Sequence, residues 1–162
     1  MNGSKGNAAF SAFEHPEGRD IVHNLNTANR MLPLVQRVVD DILADRKELC
    51  RLQPEQDRLE RHKRELVWRE RQHRYQVQEQ LASTEQHLEN ALEELHSLGL
   101  VLLDTDMGQI GFPTLVNDRR AFFCWRPGEK SLTTWQFAEE PIPRPIPSVW
   151  WEVAEESVSA KN

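Results

Sequence analysis

From Val77 to Leu98 the residues Val77, Leu81, Thr84, Leu88, Ala91, Leu95 and Leu98 recur at alternating spacings of four and three. A helix with that repeat presents one nearly continuous apolar seam and needs a partner along its whole length. The chain carries a matching stripe upstream, Val35, Val38, Ile42, Leu49 and Leu52, interrupted by Asp45. Two such stripes read as an antiparallel, coiled-coil-like helical hairpin spanning residues 21–98. Gly99, directly after Leu98, suits the left-handed position that closes a helix.

Order is expected to begin near Ile21, with Asn24 as N-cap and Ala28–Leu32 supplying the first turns. Pro33 removes a backbone donor and clashes with the preceding turn, which predicts a kink there and a longer helix beyond it. Pro54 allows two readings, a new helix or a kink in a continuing one. A turn at Pro54 would set a first arm of about 20 residues against a second of about 44, roughly 30 Å against 66 Å. A turn near 66–71 gives nearly equal arms and is the expected one.

Past Gly99 the periodicity becomes extended. Leu100–Leu103, Gln109–Phe112 with Thr114–Val116, Ala121–Trp125 and Leu132–Phe137 are apolar, aromatic or β-branched. Turn residues separate them at Asp104–Gly108, Asn117–Asp118 and Pro127–Gly128. The predicted fold is therefore α+β, mainly α: the long hairpin followed by a small antiparallel β-meander of three or four strands over 99–140, packed on the hairpin base. Proline at every second position from Pro141 to Pro147 bars that segment from a sheet interior. Residues 1–20 and the acidic end of 141–162 are expected to be disordered tails, with Phe10 and Phe13 incidental.

One domain fills 162 residues, and 28% charged against 38% hydrophobic residues suits long solvent-washed helices. A net charge of −6 supplies no overall basic field for nucleic acid or anionic lipid. No apolar run approaches the ~18 residues that span a membrane, and Met1–Lys5 lacks a signal-peptide core, so a cytoplasmic location without a membrane partner is expected. Cys50 and Cys124 have no zinc-ligand spacing and read as buried or half-buried thiols.

At several points the residues resemble those of a known family. These are Ala28–Val35, Arg74–Glu79, Leu98–Asp104, Gly108–Pro113, Asn117–Glu129 and Trp135. They are similar to a bacterial, planctomycete-type domain of unknown function, the one numbered two-two-zero-three. Its relatives usually place a histidine where this chain has Gln136. The resemblance implies a loop around Trp68; it implies no activity.

The chemistry-bearing patterns each have a plainer account. Glu70–His73 and Glu93–His96 match the Glu-x-x-His pattern of di-iron bundles. Yet they lie about 35 Å apart on one helix, whereas paired metal ions sit about 4 Å apart, so coincidence is preferred. Between Arg58 and Arg74 seven cations interleave with His62, Trp68 and His73, but Glu60, Glu65 and Glu70 dilute the charge and mostly solvated pairs are expected. Asp104 and Asp106 read as turn residues. No nucleophilic triad, P-loop or dinucleotide fingerprint is present, and no cofactor is expected.

The expected role is a non-enzymatic protein-interaction module acting through the hairpin. Its partner would be another protein or a second copy, held through apolar helix stripes. The alternative is a ligand- or metal-binding protein or enzyme with a site on the aromatic meander, where Phe112, Trp125 and Trp135 would line a pocket rimmed by Arg126, Glu129 and Arg144. Weak nucleic-acid binding through the arginine-rich hairpin tip is a further, less favoured alternative.

Overall fold

The computed structural model describes residues 21–151. The expectations for residues 1–20 and for the acidic end past Trp151 lie outside these described residues. Asn24 caps the first helix, its side-chain oxygen accepting from the Asn26 N–H at 2.9 Å. That helix, α1, is short (Leu25–Arg30). The chain breaks at Met31, and α2 (Leu32–Arg61) starts with Pro33 in its first turn, where a missing N–H costs nothing. Pro54 lies inside α2 and does not turn the chain. After the loop 62–67, α3 runs from Trp68 to Ser97. The two arms are 30 residues each, about 45 Å long.

Their apolar stripes meet in two separate cores. The larger gathers Val35, Val38, Val39 and Ile42 of α2 with Ala91 and Leu95 of α3, and the sheet packs onto it. The smaller holds Leu52, Leu59, Leu66, Val77 and Leu81 near the hairpin tip. Asp45, the residue that interrupts the α2 stripe, lies between them and pairs across the hairpin with His87 Nδ1 at 2.5 Å. A polar layer thus divides the hairpin core. Both stripes contribute to these intramolecular cores, with Leu49, Leu88 and Leu98 partly buried beside them.

The strands are β1 (Val101–Asp104), β2 (Gln109–Val116), β3 (Arg119–Trp125), β4 (Thr134–Phe137) and β5 (Arg144–Pro145). They form one sheet in the sequential order β1-β2-β3-β4-β5, every pair antiparallel. Five strands replace the expected three or four, because the proline-rich segment supplies a two-residue edge strand. An edge tolerates missing donors on its outer side. Asn117 and Asp118 both have positive φ (51° and 60°), the twist that a tight β2–β3 turn demands. Gly108 has φ +71°, and a Cβ there would sit 2.9 Å from Val39 Cγ1, so only glycine lets the β1–β2 turn rest on α2. Asp104 Oδ1 accepts from the Asp106 and Met107 N–H groups, the turn role its sequence suggested. Arg46 of α2 clamps that turn through Thr105 O and Asp106.

Two histidines give the fold opposite pH dependences. His23 is buried, its ring edge-on to Phe112 and its Nε2 without a partner. Burial pushes its pKa below 6.5, against the carbonyls of Gly99 and Leu98, which pull upward. Stability from His23 is therefore present above pH 6.5 and lost as the pH falls. His87 is raised above 6.5 by its hydrogen bond and charge attraction to Asp45. Its contribution is present below that value and lost as the pH climbs through the folded-state pKa. In urea titrations at several pH values, His23→Leu should flatten the loss on acidification and His87→Gln should steepen it. Parallel profiles for both variants and the parent would refute this assignment.

Candidate functional site

The loop 126–133 between β3 and β4 is built by hydrogen bonds to its own backbone and to the helices. Trp125 Nε1 donates to the Glu129 carbonyl at 2.9 Å. The Glu129 carboxylate accepts from the Arg126 N–H at 3.0 Å and from the Thr133 hydroxyl at 3.0 Å. From the helices, Gln36 Oε1 accepts the Gly128 N–H at 3.2 Å and Asn29 Oδ1 the Leu132 N–H at 3.0 Å. The Ala28–Val35 and Asn117–Glu129 segments, far apart in sequence, thus converge on this loop.

A cleft lies on each side of it. The first, about 200 Å³, is lined by Gln109, Cys124, Arg126, Glu129, Thr133, Thr134 and Pro143. The second, about 350 Å³, runs between the start of α2 and the loop, past Asn29, Pro33, Gln36 and Lys130. Burial pushes the Cys124 thiol up to about 11, so it is not a nucleophile at neutral pH. Cys124 is buried as its sequence suggested, whereas Cys50 is exposed.

The six residues named from the sequence do not share one pocket. Successive side chains of a strand point to opposite faces. Phe112 lies opposite Phe123, which lies opposite Trp135, and Ile110 lies opposite Trp125. Phe112, Trp125 and Trp135 therefore all face the helices, and the first two are completely buried. Arg126 and Glu129 line the first cleft with Cys124 and Thr134, which point to the other face. Arg144 lies over the Trp135 ring at 5.4 Å and pairs with Glu140 at 3.6 Å. The sequence reading missed Gln109, Cys124 and Thr133 in the cleft. It also missed Asn29 and Gln36 as loop anchors; an asparagine among apolar residues before Pro33 was the available signal.

The second distinctive surface is the hairpin tip. Val67, Trp68 and Tyr75 are 63%, 70% and 65% exposed, the only large apolar side chains that α2, α3 and their loop leave so open among the described residues. Part of the surrounding charge is spent in solvated pairs, as expected: Arg58 with Glu55, Lys63 with Glu60 and Arg74 with Glu60. Arg58, helped by His73, lowers the Glu55 carboxyl to about 2. Arg61 and Arg71 donate to the carbonyls of Asp57 and Leu66, and with Arg64 and Arg69 they have no carboxylate partner among the described residues. Glu70 accepts from the Val67 N–H at the start of α3, and His73 Nε2 meets Glu55 at 3.0 Å. Among the described residues no three His, Cys, Asp or Glu side chains are grouped to hold a metal ion. No helix among them is long and apolar enough to cross a membrane.

A family model described as Uncharacterized conserved protein (DUF2203) matches residues 22–142. The chain belongs to this family. The DUF2203 match runs from the residue before His23 to just short of β5, so it takes in both arms, the tip and the 126–133 loop. No curated protein and no solved structure matches the chain significantly.

Proposed function

We propose that the chain is a non-enzymatic interaction module that works through its helical hairpin and engages another protein. The observation that carries this reading is the concentration of exposed Trp68, Tyr75 and Val67 at one end of the hairpin beside four arginines without carboxylates. Tryptophan, tyrosine and arginine are the side chains that dominate interface energetics, and exposing them is unfavourable for a monomer that buries its other helical apolar residues.

The clefts favour the ligand-site alternative less. The first falls below the roughly 300–1,000 Å³ of ligand sites. In the second, the oxygens of Asn29 and Gln36 are already committed to backbone N–H groups, and Glu129 is committed on the first side. These oxygens hold the loop in place.

Photo-crosslinking in the source cell tests the reading. A photoreactive residue at position 68 or 75 should give discrete protein adducts, and one at Leu115 or Ile142, exposed on the sheet side, should not. Adducts only from the sheet positions, or from none, would overturn it.

A further inference from the structure

The face of α3 that points away from its two cores carries a pattern of its own. Trp68, Arg71, Tyr75, Glu79, Ala82, Gln86, Glu89 and Glu93 follow one another at spacings of three and four, and all are exposed. At 100° per residue they form one stripe diametrically opposite Val77, Leu81, Leu88 and Leu95. The stripe is polar in the electrical sense. Its tip end holds Trp68, Arg71 and Tyr75; its base end holds Glu89 and Glu93, with Glu85 alongside.

No cation pairs with Glu85, Glu89 or Glu93 among the described residues. Like charges four apart on a helix repel by a few tenths of a kcal/mol per pair, so this carboxylate ladder is unfavourable unless something basic covers it. The tip has the complementary need: Arg71 on the stripe, like Arg61, Arg64 and Arg69 nearby, has no carboxylate partner among the described residues.

From this self-complementarity we infer that the outer face of α3 pairs with the same face of a second copy, antiparallel, about a two-fold axis at Ala82. The register follows from the positions. Arg71 falls opposite Glu93, and Tyr75 opposite Glu89. Small side chains at the axis let the helices approach to about 8–10 Å. Trp68 lands near Ser97, at the end of α3 where Ile21 packs against Gly99. Ile21 and Val22 there are 47% and 52% exposed, so the apolar anchor at one end meets an apolar seat at the other. Every contact occurs twice, as a two-fold interface requires.

A single helix-on-helix contact lies at the small end of the ~1,200–2,000 Å² range of stable interfaces. The dimer is therefore expected to be micromolar and weakened by salt, since its charge pairs are near the surface. This inference rests on the hairpin reading above and names its partner.

Sedimentation equilibrium of the purified full chain, from micromolar to near-millimolar concentration, tests it. The parent should double in mass at low salt. Arg71→Glu and Glu93→Arg, each placing two like-charged contacts in the dimer, should each weaken self-association by about tenfold or more, with unchanged circular dichroism. An equimolar mixture of the two restores both attractive pairs and should associate as tightly as the parent. A chain that stays monomeric, a dimer indifferent to these reversals, or a mixture that fails to recover would overturn the inference. So would a monomer that binds single-stranded oligonucleotide through Trp68 at low salt, which assigns the face to nucleic acid. A monomer whose position-68 crosslinker still captures another protein sinks the dimer and leaves the hairpin reading standing.

Discussion

Trp125→Ala is expected to lower unfolding free energy by about 3–5 kcal/mol, the range for removing a fully buried large aromatic side chain. Trp125 has no exposed surface and sits in the larger core with Ile110, Phe112 and Leu132. Its ring also holds the loop, because Nε1 donates to the Glu129 carbonyl. The loss is a large share of the ~5–15 kcal/mol of a typical domain. Trp125→Phe keeps most of the packing but removes the hydrogen bond and part of the buried ring, for a smaller cost of about 1–3 kcal/mol. Urea unfolding followed by far-ultraviolet circular dichroism gives both numbers. If Trp125→Ala shifted stability by less than ~1 kcal/mol, Trp125 would have to line an open pocket instead of a core, and the ligand-site alternative for the meander would return.

Much of this architecture was legible in the sequence because period and length act over many residues at once. The seam Val77–Leu98 and the stripe Val35–Leu52 required two packed helices, and equal arm lengths favoured a turn near 66–71 over one at Pro54. Pro54 does lie inside α2, but the loop falls slightly earlier, at 62–67, with Trp68 already opening α3. The fifth strand was hidden: β5 is two residues of a proline-alternating segment, joined to β4 through the pairing of Arg144 with Trp135, and no periodicity marks so short an edge. The site was legible only in pieces. Arg126 and Glu129 do line one cleft, since Pro127–Gly128 announces a tight turn that keeps its flanks together. Phe112 and Trp125 were grouped with them by aromatic character alone, and strand alternation, which the register fixes and composition does not, sends them to the helix face. The division of the hairpin core was visible as a single residue, Asp45, but its partner His87 lies on the other arm, 42 positions away, and nothing local joins the two.

That division yields the other large effect. Leu59 is completely buried in the tip core, which contains only Leu52, Leu59, Leu66, Val77 and Leu81, with Leu49 partly buried beside it. Leu59→Ala should cost about 2–5 kcal/mol locally, while the larger core, 19 buried residues backed by the sheet, loses no contact. Elements with few buried contacts open on their own at a free energy below that of global unfolding. Native-state amide exchange should therefore accelerate strongly across residues 52–81 in Leu59→Ala and stay near the parent's rates at 35–42 and 91–95. Ile42→Ala, which removes a fully buried side chain from the larger core, should instead speed exchange throughout the hairpin and sheet, because the tip has no other support. Were Leu59→Ala to raise exchange equally at both ends, the Asp45–His87 layer would not separate two units, and the hairpin would unfold as one rod from Leu32 to Ser97.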